Sequence, residues 1–142
     1  MSSSTLSTSP PAFRSKTVAS LLAALFGWAG AHHYYLKRRY SWVLLLSSLL
    51  LIGLMLRAKV WYLHPAFFIW VLLASAGYLE AIVLALLSDK KFDARFNPGL
   101  ARRNQTGWAP VIIATLTLAL GTLIFMFALA LLVETLYGRF FA

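Results

Sequence analysis

Two adjacent histidines, His32 and His33, and one glutamate, Glu80, are the residues whose types could do chemistry in an apolar setting. Histidine exchanges a proton near neutral pH, and a carboxylate surrounded by hydrocarbon needs a partner. Glu80 is the only charged residue in the apolar run 66–87. Three chemistries compete for the group. A polar clamp would fix the register of packed helices, with Arg38 and Arg39 next in line to join it. A proton or cation relay would pass charge between the glutamate and the imidazoles. A metal site would need both imidazoles on one ion, which neighbours in a continuous helix disfavour because they point to different faces. No metal-ligating set, catalytic residue or cofactor is assigned. The chain has no cysteine, no G-x-S-x-G, no H-E-x-x-H and no phosphate-cradling glycine loop.

The elements that must hold these residues are set by composition. The chain has 142 residues, 61% hydrophobic and 12% charged, with a mean hydropathy of +0.76; soluble domains carry about a quarter charged residues. The apolar residues come in long runs with the charges between them, a pattern suited to lipid as solvent. Their continuity makes barrel strands, which alternate, a poor alternative. The expected fold is all-α: an integral membrane bundle of four transmembrane helices over 17–36, 40–56, 66–87 and 110–133. Each is near the roughly 20 residues that cross about 30 Å of hydrocarbon. Pro65 and Pro110 stand at first helical positions, where the missing N–H costs nothing. The Ser-, Thr- and Pro-rich stretch 1–15 reads as a disordered tail, 88–109 as a polar loop whose 99–109 portion is basic, and 134–142 as a short tail.

The net charge of +9 comes from thirteen Lys and Arg against four Asp and Glu. Nucleic acid is not the expected partner, because the basic residues cluster beside apolar runs: Arg14 and Lys16; Lys37, Arg38 and Arg39; Arg57 and Lys59; Lys90, Lys91, Arg95, Arg102 and Arg103. Clusters so placed are topology signals. Arg14 and Lys16, the stretch 18–29 and Ala29-Gly30-Ala31 imitate a secretory leader. Cleavage there would export Lys37 to Arg39 and the whole basic loop, eight of the thirteen, against the positive-inside bias. Four alternating spans with both termini outside keep those eight in the cytoplasm and export five.

Residues 16–36, KTVASLLAALFGWAGAHHYYL, resemble the opening of the TM-two domain family: a basic residue, an apolar helix, paired glycines, then a Gly-Ala-His-Arg-Phe-Tyr-Leu-Gly type turn into a second helix. Gly27, Gly30, Ala31, His32, Tyr35 and Leu36 match, while His33 replaces arginine, Tyr34 phenylalanine and Lys37 glycine. Tyr78 to Ile82 around Glu80, and Ser88 to Asp93 with Asn97-Pro98, resemble the later family stretches, so that the likeness spans 16–98. It implies a small helical membrane protein whose turn between helices serves interaction or regulation.

Ala19, Ala23, Gly27 and Ala31 recur every four residues and form a ridge without bulky side chains; Gly77, Ala81 and Ala85 form another. Close backbone approach of this kind drives helix association in lipid. In an alternating bundle the first and third helices run in the same direction, bringing Glu80 within roughly 6 Å in depth of the histidine pair at 1.5 Å per residue. Tyr34, Tyr35, Tyr40, Trp42, Trp61, Tyr62, Trp108 and Tyr137 suit the two headgroup levels. The expected partners are the bilayer, its anionic headgroups against the basic loop, and other membrane proteins or further copies of this chain. The expected function is that of a multi-pass cell-membrane component (inner membrane in a bacterium), structural or interaction-based and not enzymatic. The alternative is a small ion or proton-coupled transporter or pore using Glu80 with His32 and His33.

Overall fold

The computed structural model describes residues 12–141, and among these there are helices and no strands. Six α-helices follow one another: α1 (Lys16–Phe26), α2 (Ala31–Tyr35), α3 (Ser41–Leu56), α4 (Pro65–Leu86), α5 (Asp89–Phe96) and α6 (Ala109–Phe141). Two of them, α4 and α6, are long and apolar enough to cross a membrane. Lys16–Ala29 and α3 are apolar but shorter, the latter about 24 Å at 1.5 Å per residue. Most of the expected tail, residues 1–11, lies outside the described residues.

The first segment is not the single helix expected over 17–36. It stops at Phe26, passes through a 3-10 turn at Gly27–Ala29, and reverses at Gly30, whose φ of +70° is the left-handed region that glycine enters without penalty. The return is visible in one bond: the backbone N–H of Ser15 donates to the Tyr35 hydroxyl at 2.7 Å. A straight helix would put those residues about 30 Å apart. Two glycines three residues apart, each a poor helix former, give way here because the turn between them finds better partners on α4.

That packing also corrects the expected helix direction. The Lys16 ammonium, at the start of α1, donates to the Leu87 carbonyl at the end of α4 (2.7 Å), while Gly27 at the far end meets Gly77. α1 therefore runs antiparallel to α4, not parallel to it. Between those points Ala19, Ala23 and Ala81 are fully buried and Ala85 nearly so. Ala31 lies beyond the break and is half-buried, so the small-residue ridge ends at Gly27. A Cβ built on either glycine would fall 2.7–2.8 Å from the other's backbone. α3 closes over the turn, with the Ser48 hydroxyl donating to the Trp28 carbonyl. α6 runs antiparallel to α4: Gly121 lies under the Tyr78 ring, and Phe68 shares an apolar cleft with Leu132.

Two further elements differ from expectation. The polar loop contains α5, capped by the Ser88 hydroxyl accepting from the Lys91 N–H, with Phe92 and Phe96 one turn apart on its buried face. α6 continues to Phe141 instead of ending near 133, because 134–141 offers no proline and its polar groups face outward. The buried apolar cluster is small: Ala19, Ala23, Leu36, Ala81, Leu84, Phe92 and Phe96. The outer faces of α3, α4 and α6 stay apolar and exposed, at Leu50, Leu72, Val83 and Leu123 among others.

Gly77→Ala should cost about 1–3 kcal/mol, because its methyl meets backbone that cannot rotate away. Gly53→Ala, where the added carbon meets nothing within 4 Å, should be neutral or better. Thermal unfolding of both variants in detergent checks this, and equal losses would refute the close contact.

Candidate functional site

Glu80 sits on α4 at the level of α2. Its Oε2 is bonded by the Nε2 of His32, which is fully buried. The same oxygen lies 3.0 Å from the Nε2 of His33. Its other oxygen accepts from the Arg38 guanidinium at 2.9 Å. Successive helical residues project about 100° apart, yet both imidazoles reach Glu80, because the carboxylate lies between the two directions. The rings lie 4.2 Å apart between centroids. Neighbouring histidines on different faces were expected not to share a partner easily, whereas here both Nε2 atoms reach one carboxylate oxygen.

The chain after α2 is shaped to bring the arginine in. Lys37 adopts φ +52°, its N–H bonds the Tyr34 carbonyl and that of Arg38 bonds the His33 carbonyl (3.0 and 2.9 Å). Those bonds make a Schellman-type stop with lysine in the left-handed position usually held by glycine. Arg38 is thereby turned back onto Glu80, and its Nη1 also donates to the Nδ1 of His33 at 3.2 Å. The His33 proton consequently resides on Nε2, facing the carboxylate. The His32 Nδ1 is buried and has no partner among the described residues. Arg39 stands apart, over the Tyr40 ring, and Tyr34 is exposed. The Glu80 side chain remains 37% exposed, so the cluster has one open flank.

A second polar centre, unforeseen in the sequence, ties the start of α1 to α5. The Asp93 carboxylate, on a residue 2% exposed, accepts from the Asn97 amide (2.7 Å), the Asn104 backbone N–H (2.7 Å) and the Asn104 amide. Asn97 grips both sides of the Arg14 peptide, accepting from its N–H at 2.8 Å and donating to its carbonyl at 2.9 Å. Asn104 accepts from the Lys16 N–H (2.9 Å), satisfying a first-turn donor of α1 that has no acceptor within its own helix. Asp89 binds the Lys16 ammonium at 2.8 Å and the Thr106 hydroxyl at 2.6 Å. Arg14 and Ser15, expected in a loose tail, are thus held. The spacing of Asp89, Asp93 and Asn97, one helical turn apart, was the legible signal.

Burial works against ionisation of Asp93, but the bonds donated by Asn97 and Asn104 outweigh it and hold the carboxyl below the ordinary aspartate range. Asp89 follows the same balance, burial opposed by Lys16 and Thr106, and is also lowered. The basic-loop residues Lys90, Lys91, Arg95, Arg102 and Arg103 are exposed and stay away from Glu80. Arg102 lies over the Phe13 ring at 4.4 Å, at the mouth of an open cavity of about 370 Å³.

No protein-family model matches this chain, and comparisons with curated proteins and with solved structures yield no match.

Alanine at His32, at Glu80 and at both should show losses that do not add, with a coupling of about 1 kcal/mol or more; additive losses would dissolve the clamp. Since both aspartates are lowered in the folded state, the stability they contribute is complete above the unfolded value near 4 and is lost as pH falls through the folded values. Unfolding midpoints measured against pH should therefore drop on acidification, and Asp93→Asn should flatten that drop while lowering the neutral-pH plateau.

Proposed function

We propose that the chain is a multi-pass membrane protein of TM-two type, acting as a structural and interaction component of the membrane and carrying no catalysis. The observation that carries the reading is the saturation of Glu80: three side chains, from His32, His33 and Arg38, direct N–H groups at one carboxylate. That arrangement suits a closed clamp joining the first segment to α4. The family resemblance over 16–98 supports it, and the left-handed φ at Lys37 gives a physical reason for the glycine that the family turn carries there.

In this reading all four apolar segments are seated in lipid. Three of them, α3, α4 and α6, cross, while α1 and α2 enter from one face and return to it as a hairpin. Such re-entry is tolerated where the turn is buried in protein, and Gly27 is buried against Gly77. The arrangement collects Arg14, Lys16, Lys37 to Arg39 and the five loop residues on one face, ten of thirteen, leaving Arg57, Lys59 and Arg139 on the other. The positive-inside bias then favours a cytoplasmic α1 start and an external α6 end, in the cell membrane or the inner membrane of a bacterium. The exposed Lys90, Lys91, Arg95, Arg102 and Arg103 would meet anionic headgroups, at about 1 kcal/mol per basic side chain. The outward apolar faces are open to other membrane proteins or further copies.

A second reading, a proton or cation relay, draws on the open flank of Glu80 with the buried His32 behind it.

A reporter fused after residue 142 should be active only outside, and one fused ahead of residue 1 only inside; the same side for both would sink the hairpin arrangement. In proteoliposomes the clamp reading expects no pH-driven ion flux, whereas flux abolished by Glu80→Gln would transfer the case to the relay.

A further inference from the structure

We infer that His32, His33 and Glu80 form a binding site for a divalent transition-metal ion of zinc-like chemistry, set where the α1–α2 hairpin meets α4. The donor atoms of the three residues all lie within 4.8 Å of one another. Both Nε2 atoms already converge on the same carboxylate oxygen, so an ion needs no large movement of backbone to reach all three. Two neutral imidazoles and one carboxylate are the donor set of a borderline ion such as Zn²⁺ or Co²⁺. Mg²⁺ and Ca²⁺ are excluded as ligands of choice, because they need about six or more oxygens.

The proton balance is simple. Without metal each Nε2 carries a proton directed at Glu80; with metal each ring carries it on Nδ1 instead, and Nε2 offers its lone pair. At His32 no partner among the described residues binds Nδ1 and fixes the tautomer, so the exchange replaces an unpartnered buried acceptor by an unpartnered buried donor. At His33 the Arg38 guanidinium must release Nδ1, where it now sits at 3.2 Å. It retains the outer oxygen of Glu80 at 2.9 Å, where it becomes the hydrogen-bonding support that ligating carboxylates usually have. The open flank of Glu80 supplies the route of entry, and three protein ligands leave a fourth position for water, the arrangement of an exchangeable site and not a closed structural one.

The test uses the full chain in detergent, its purification tag removed and its metal stripped with chelator, titrated with Zn²⁺ by calorimetry and with Co²⁺ by visible absorption. One saturable equivalent is expected, with the intense visible bands of four-coordinate Co²⁺ and no competition from excess Mg²⁺. His33→Gln, at a half-buried position, should weaken binding more than ~10-fold, as should Glu80→Gln, while Arg39→Gln should leave it unchanged. Far-UV circular dichroism and melting in chelator show whether each variant is folded, and the His33 variant carries the test if the Glu80 variant is not. Absence of saturable uptake, or equal uptake by wild type and the folded His33→Gln variant, overturns the site. The clamp is judged separately, by stability in the presence of chelator.

Discussion

Everything in the upper half of the bundle depends on two glycines touching. With hydrogen in place of a side chain on both Gly27 and Gly77, the turn of the hairpin lies directly on the backbone of α4, closer than any Cβ would permit. In the proposed lipid setting there is no hydrophobic reward for bringing one leucine-covered helix to another, so contact at this range, with its dense dispersion attraction, is what association is built from. Once the turn is seated there, α2 has one course available, back along α4, and that course carries His32 and His33 past Glu80. The polar cluster is thus a result of the glycine contact and also its lock, since a carboxylate satisfied by three donors holds the hairpin in one register.

The other end of the bundle is held by different physics. Asp93, Asn97 and Asn104 make a buried polar unit that gathers the start of α1, α5 and the loop before α6 around hydrogen bonds in place of apolar area. Buried polar groups of this kind are stabilising only when nearly all are satisfied, and here the carboxylate receives three donors. The molecule therefore has a polar, hydrogen-bonded base and a stem of long apolar helices, with the Glu80 cluster between the two.

The sequence made some of this plain and concealed the rest for identifiable reasons. Helical class and the apolar segments of α3 and α4 were legible because runs of that length without charge have few other uses, and Pro65 announced the start of α4. The break at Gly27–Gly30 was not, since two glycines in an apolar run are equally at home in a straight membrane helix; only the partner backbone at Gly77 decides between them. The meeting of Glu80 with the histidine turn was reasoned from depth in an alternating bundle, whereas the structure brings it about through a hairpin running the opposite way. α5 was hidden by its own polarity: its buried face is two phenylalanines, an aspartate and an asparagine, a pattern that reads as loop when only hydropathy is followed.

α6 is 33 residues long, about 50 Å at helical rise, against about 30 Å of hydrocarbon. It starts beside the polar base and lies along α4. In the proposed three-crossing arrangement the excess emerges at the opposite face as a post, with the stacked Tyr137 and Phe141 (5.3 Å) and Arg139 near its tip. In the proposed membrane arrangement a thicker bilayer covers more of that post than a thin one, so the length of α6 left in water varies with the thickness of the lipid around it.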